Sequence, residues 1–324
     1  MSVAVAAPAR NQFVATVAAN VPLCTEHYRL VLRLPAFPST RPGQFIQIAC
    51  RDLAEDDSRE QACEVDWQPG RAADVCVADL ESSMALLRRP FSLAGRRDLA
   101  GGGVELDIIH RVVGVGTDWL SRLRGDDSVH ILGPLGNTFR LPTPQQTAVL
   151  VGGGVGIPPM LYLAEKLAGR RAVAFCGALR RDLLPLTIAD DASPAGDPTL
   201  SIDEFARHGI ASVITTDDGS FGFRGFVTQA LERYLDAHHD ADHVIYTCGP
   251  ELMMKRVADI AAARDIECQI AVERAMACGM GTCQSCCIRV RKPDPAQPPL
   301  PGSDWCYRLA CTDGPVFLGK DLLW

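Results

Sequence analysis

The chain has 324 residues, with 32 lysines and arginines against 39 aspartates and glutamates and a formal charge of −7. That length supports two or three domains with their own cores, and the acidic balance, without a basic run interleaved with aromatics, argues against a nucleic-acid partner. No apolar run reaches the roughly 18 residues of a membrane-spanning helix, and residues 1–10 lack the positive start of a secretory signal. Thirteen cysteines, odd in number and scattered, fit metal binding in a reducing, cytoplasmic setting better than a disulfide scaffold.

From about Gln12 to Leu141 the chain reads as short β-runs broken by Pro and Gly, at 12–17, 28–34, 44–49 and 104–113. That pattern predicts an antiparallel barrel or sandwich. Residues 51–83 interrupt it with an acidic, polar stretch, read as a surface insertion. From Gln146 the period changes. Apolar strands at 148–151, 172–176, 211–215 and 243–247 alternate with helices at 160–169, 227–238 and 251–264, which predicts a parallel α/β sheet. Beyond Cys268 comes a compact Cys-rich tail with a Pro-rich linker at 292–302. The expected fold is therefore multidomain β and α/β, with domains at 8–143, 144–268 and 269–324.

Four motifs carry cofactor-type chemistry. In Arg89-Pro90-Phe91-Ser92 an arginine can neutralise a pyrophosphate, an aromatic can stack on a flat ring, and a serine can hydrogen-bond a ring edge. An ordinary strand with one core Phe is the plainer alternative. In Val113-Gly114-Val115-Gly116-Thr117 two glycines and a threonine stand at a helix start, giving either an anion site of backbone N–H groups or a plain turn with a Thr N-cap. Gly152-Gly153-Gly154-Val155-Gly156-Ile157-Pro158-Pro159 follows a strand and enters a helix, the context a dinucleotide fingerprint requires, although Pro159 replaces the third glycine. Tyr246-Thr247-Cys248-Gly249-Pro250 closes a predicted strand, where open α/β sheets bind ligands. Cys248 could pack against a nicotinamide or be a buried thiol.

Cys278, Cys283 and Cys286 have the C-x4-C-x2-C spacing of plant-type two-iron clusters. Gly279 and Gly281 let the backbone fold tightly enough to aim amides at sulfur. Zinc is the competing reading, but structural zinc sites pair two short units. Candidates for a fourth ligand are Cys287, Cys306 and Cys311. Cys287 diverges from Cys286 and reads as a buried small hydrophobe. Cys311 opens a turn, which favours it over Cys306 on local chemistry.

The order of these motifs resembles the ferredoxin-reductase-like flavoproteins, and most closely the electron-transfer subunits of class B dihydroorotate dehydrogenases. The likeness rests on Arg-Arg-Pro-Phe-Ser-Leu (88–93), Leu-Gly-Pro-Leu-Gly-Asn-Thr-Phe (132–139), Thr-Asp-Asp-Gly-Ser-Phe-Gly-Phe-Arg-Gly (216–225) and Cys-Thr-Asp-Gly-Pro-Val-Phe (311–317), besides the motifs above. It spans about Phe13 to Phe317. It implies an N-terminal FAD-binding β-barrel, a Rossmann-like nucleotide domain and a small [2Fe-2S] domain. FAD contacts are implied for Arg89, Pro90, Phe91, Ser92, Gly114, Gly116 and Thr117. Gly153, Gly154, Gly156, Asp218, Cys248 and Gly249 would bind NAD, with Ser92 and Cys248 nearest the chemistry. Cluster ligands would be Cys278, Cys283, Cys286 and Cys311. NADP stays open, because Arg180, Arg181 and Asp182 offer both signs of charge after the second α/β strand. The implied partner is an FMN-containing dihydroorotate dehydrogenase catalytic subunit, in a heterotetramer of two plus two, serving pyrimidine biosynthesis. Other readings are a reductase for an oxygenase, hydrogenase or ferredoxin-type acceptor, or a redox sensor.

Overall fold

The computed structural model describes residues 11–52, 85–291 and 304–324. Most of the insertion expected at 51–83, and all of the Pro-rich linker at 292–302, lie outside the described residues.

The first sheet is antiparallel and seven-stranded: β1 (Gln12–Cys24), β2 (His27–Leu34), β3 (Phe45–Ile48), β4 (Arg89–Ser92), β5 (Gly95–Asp98), β6 (Val104–Arg111) and β7 (Ser128–Leu135), in the order β4-β3-β7-β1-β2-β6-β5. Alternate residues face the interior, as a half-buried sheet demands. Leu30, Leu32 and Leu34, Leu106 and Ile108, and Ile46 and Ile48 form one buried core. β1 continues past the expected 12–17 because irregularities between Val17 and Ala19 and between Pro22 and Cys24 let the ladder absorb Pro22. The sheet curls into a half-barrel until Phe91 on edge strand β4 meets His110 on β6, ring centroids 6.2 Å apart. Helix α1 (Val115–Arg122) plugs one end with Leu120. The Asn20 amide donates to the carbonyls of Leu120, Ser121 and Leu123, closing the C-terminal end of α1.

The second sheet has parallel strands β8 (Thr147–Gly153), β9 (Ala172–Ala178), β10 (Ala211–Thr216), β11 (Phe223–Arg224), β12 (His243–Cys248) and β13 (Glu267–Ala271), ordered β11-β10-β9-β8-β12-β13. Helices α2 (Ile157–Lys166) and α3 (Asp203–Ala206) pack on one face. Helices α4 (Val227–Ala237) and α5 (Glu251–Ala262) pack on the other. Being covered on both sides, the central strands are largely apolar, with a few buried polar residues such as Ser212, Thr247 and Gln269. α2 begins earlier than the expected 160, because its prolines sit in the first turn where no N–H is needed. It is buried nearly all round, wedged against the barrel, where the Tyr162 hydroxyl meets Thr40 Oγ1 at 2.7 Å and donates to the Thr40 carbonyl at 2.9 Å.

The C-terminal segment forms a three-stranded sheet, β15-β14-β17, from β14 (Cys287–Val290), β15 (Cys306–Leu309) and β17 (Leu322–Leu323). Between the last two, β16 (Val316–Leu318) leaves to pair antiparallel with β13. The boundary expected at 268/269 thus falls inside β13, and the small sheet is stitched into the α/β sheet. Among the described residues no helix is long and apolar enough to cross a membrane.

Candidate functional site

Strand order reverses between β8 and β12, so the loops leaving their C-terminal ends diverge and open a crevice. Those loops carry the glycine motif and the Cys248-Gly249-Pro250 motif. They interlock through absent side chains: a Cβ on Gly156 would collide with the carbonyl of Cys248, and one on Gly249 would sit 3.0 Å from the Gly153 carbonyl. The crevice is a cavity of about 630 Å³ lined by Gly153, Gly154, Asp217 and Met253, and closed on the barrel side by His27 and Arg111. A Cβ on Gly154 would meet nothing within 4 Å, so this backbone lies open to a ligand. Cys248 ends β12 buried beside it, and burial pushes its thiol up to about 12, keeping it neutral.

Asp217 lines the cavity, whereas the residue expected to contact NAD is its neighbour Asp218, which does not line it. Asp218 sits in the exposed turn, where the Ser220 N–H donates to its carboxylate at 2.9 Å and Ser220 holds its pKa below the usual range. Both arginines after β9 are engaged. Arg180 pairs with Asp182 at 3.1 Å, and Arg181 lies over the Phe221 ring, 5.2 Å from its centroid.

Arg89, Pro90, Phe91 and Ser92 form β4, half-buried along its length and paired with β3. Gly116 comes close to them through Cys50, since a Cβ on that glycine would meet the Cys50 Cβ at 3.1 Å. The charge of Arg89 acts on the Cys50 thiol, which burial nonetheless pushes up to about 12. Thr117 is not the N-cap. Gly114 is, and the Thr117 hydroxyl reaches back to accept the N–H groups of Val113 (2.9 Å) and Gly114 (3.2 Å). That hydroxyl therefore holds the turn, leaving backbone N–H groups at the α1 N-terminus for an anion. Next to Phe91, His110 is buried with both ring nitrogens unpaired, and burial lowers it to about 4. Half-buried β4, open Gly114 and these unpaired nitrogens fit a flavin nucleotide.

The cysteine loop turns twice through left-handed glycines, Gly279 (φ 70°) and Gly281 (φ 86°). These turns aim the N–H groups of Met280 and Cys283 at Cys278 Sγ, both at 3.4 Å. The thiols fall in two pairs within hydrogen-bonding reach, Cys278 with Cys283 and Cys286 with Cys311. Among the described residues no three His, Cys, Asp or Glu side chains close as tightly as ligands of one metal ion. The all-cysteine donor set of this loop and the following turn suits an iron-sulfur cluster. The Ser285 hydroxyl draws the exposed Cys283 thiol down to about 6, while burial and Cys286 push Cys311 up to about 11. Cys287, expected as a buried hydrophobe, is half-buried at the head of β14.

Hairpin register separates the remaining candidates. Cys287 pairs with Leu309 and Val290 with Cys306, so Cys306 sits at the far end of the ladder, about 10 Å along it. Cys311 lies just past the near end, where the Ala310 N–H donates to the Cys286 carbonyl at 3.1 Å. Asn137, inside the 132–139 motif, clamps this turn to the barrel. Its amide donates to the carbonyls of Asp313 (2.8 Å) and Val316 (2.9 Å), and its Oδ1 accepts the Val316 N–H at 2.8 Å. Gln47 on β3, fully buried with neither amide atom paired, rests against Gly279. Leaving such a group unsatisfied costs about 1–3 kcal/mol. Neither Asn137 nor Gln47 stood out in the sequence.

Residues 273–323 match the family described as the iron-sulfur cluster binding domain of dihydroorotate dehydrogenase B. The electron transfer subunit of dihydroorotate dehydrogenase B (NAD(+)) from Desulforamulus reducens is 32% identical over 246 residues, 75% of this chain and 83% of that one. The same subunit from Geobacillus kaustophilus is 35% identical over 258 residues, 79% and 87% of the two chains. The solved structure of an NADH-dependent reduced ferredoxin-NADP oxidoreductase superposes with a TM-score of 0.68 over 96% of this chain and 90% of that one. At 23% identity it shares the fold. On these likenesses the chain belongs to the family of dihydroorotate dehydrogenase B electron transfer subunits.

Proposed function

We propose that this chain relays electrons between NAD(H), FAD and a [2Fe-2S] cluster on behalf of an FMN-containing catalytic subunit that oxidises dihydroorotate to orotate, in an assembly of two plus two. The observation that carries this reading is proximity: the cysteine loop rests on Gln47, whose cross-strand partner is Pro90 of the Arg89–Ser92 strand. When bound, the nucleotides supply hydride exchange and the cluster supplies one-electron steps; the protein positions them.

The residues divide the work. Gly153, Gly154 and Gly156 shape the crevice that takes the dinucleotide pyrophosphate. Arg89 offers a fixed positive charge to the flavin pyrophosphate, and Ser92 a hydroxyl to the ring edge. Cys248 stays a neutral thiol at the crevice wall, where it packs without titrating. Asp217 facing the cavity, with Arg180 and Arg181 engaged elsewhere, favours NAD over NADP. Cys278, Cys283, Cys286 and Cys311 hold the cluster.

The test is expression with a dihydroorotate dehydrogenase catalytic subunit. The expected product is a complex with about two irons per FAD that reduces NAD when dihydroorotate is added. Flavin without iron, with full electron delivery after Cys283→Ser, would dismiss the relay. Activity only with a ferredoxin-type or oxygenase acceptor would change the partner.

A further inference from the structure

β3 alternates. Ile46 and Ile48 point into the barrel core, so Phe45 and Gln47 leave by the opposite face. Phe45 enters the apolar core that also holds Cys286 and Cys311. Gln47 is 0% exposed, yet neither its Oε1 nor its Nε2 has a hydrogen-bond partner. It lies flat on the cysteine loop: a Cβ added to Gly279 would stand 2.5 Å from Oε1, 2.7 Å from Cδ and 3.2 Å from Nε2. In register it opposes Pro90, and cross-strand partners share a face of the sheet.

A primary amide carries two donors and a carbonyl acceptor. Buried amides without partners are uncommon, and each calls for an explanation such as an ion or water. Gly279, against which this amide lies, directly follows Cys278, and the acceptors that a cluster would bring to this loop are sulfurs. As thiolates, or with bridging sulfides, they accept hydrogen bonds and cannot donate, so the Nε2 end matches them. A donor aimed at cluster sulfur stabilises the reduced, more negative form more than the oxidised form, and so raises the reduction potential.

We propose that Gln47 donates a hydrogen bond to the sulfur atoms held by the 278–286 loop, positioning that loop against the flavin strand and raising the potential of its cluster. The inference rests on the cluster reading of Cys278, Cys283, Cys286 and Cys311. It concerns a residue outside the ligand set.

The test uses the full holoprotein and two variants. Gln47→Met keeps an unbranched chain without polar atoms, and Gln47→Glu keeps the shape but accepts only. Electron paramagnetic resonance during a redox titration reads the cluster, and visible absorbance reads FAD. Both variants are expected to lower the reduced-to-oxidised ratio of the cluster at fixed potential by about tenfold, or about 59 mV for a one-electron couple. The FAD potential should stay put. Should Gln47→Met fail to retain its cluster, Gln47→Glu decides by the same titration. A cluster potential equal to wild type in the variants overturns the proposal, as does a shift confined to the FAD couple. Wild-type protein without iron would instead sink the cluster reading itself.

Discussion

Cys306 opens the four-residue strand β15 and Cys311 follows its end, and the ladder decides which of them lies near Cys286. Cys306 is 4% exposed but faces Val290 at the far end, whereas Cys311 is 2% exposed and follows Ala310, whose N–H donates to the Cys286 carbonyl. Cys311→Ser is therefore expected to abolish iron retention, while Cys306→Ser keeps the full iron content and its visible spectrum. His110 gives a prediction in pH. Buried at about 4 against its ordinary 6.5, it binds its proton less well folded than unfolded. Stability is thus unaffected above pH 6.5 and falls as pH drops towards 4, by up to about 3 kcal/mol. His110→Phe, which keeps a ring against Tyr28 and Phe91, should flatten the thermal melting temperature between pH 6.5 and 4.5. An unchanged slope would place the acid sensitivity elsewhere.

At the scale of elements, the loop leaving β7 ties the barrel to the C-terminal segment. Asn137 alone makes three side-chain hydrogen bonds to the turn that carries Cys311. At roughly 1 kcal/mol each in this half-exposed setting, Asn137→Ala should destabilise by about 2–3 kcal/mol. Iron should be released several-fold faster to a chelator, with FAD content unchanged. Equal loss of both cofactors would mean the loop supports the barrel instead. The period-2 runs, the strand–helix alternation and the C-x4-C-x2-C spacing were legible in the sequence because each is a local pattern. Asn137 and Gln47 were not, since their roles arise only once β7 and β3 face the C-terminal segment. In sequence, Gln47 is an ordinary polar residue alternating with isoleucines. Thr117 misled for a related reason: at a helix start a threonine fits the N-cap and the third position equally well, and only the direction of its hydroxyl separates them.

For the whole molecule, three sheets are joined so that cofactor-type sites adjoin in sequence along one path. His27 and Arg111 of the barrel close the nucleotide cavity, β4 lies on the same barrel, and the cysteine loop rests on Gln47 of β3 beside it. That order makes the halves of the function separable. The nucleotide crevice is built from β8, β12 and α5, none of which includes a cysteine proposed as a cluster ligand. Cys283 is exposed on a loop, so Cys283→Ser removes a proposed ligand without opening a core. Rapid mixing of the Cys283→Ser protein with NADH should then bleach its flavin within about twofold of the wild-type rate. Transfer to a dihydroorotate dehydrogenase catalytic subunit should fall at least a hundredfold, which corresponds to about 3 kcal/mol or more in the limiting barrier. If transfer to the catalytic subunit survived at the wild-type rate, electrons would be leaving directly from the flavin side, and the cysteine loop would be a structural clasp and not the exit.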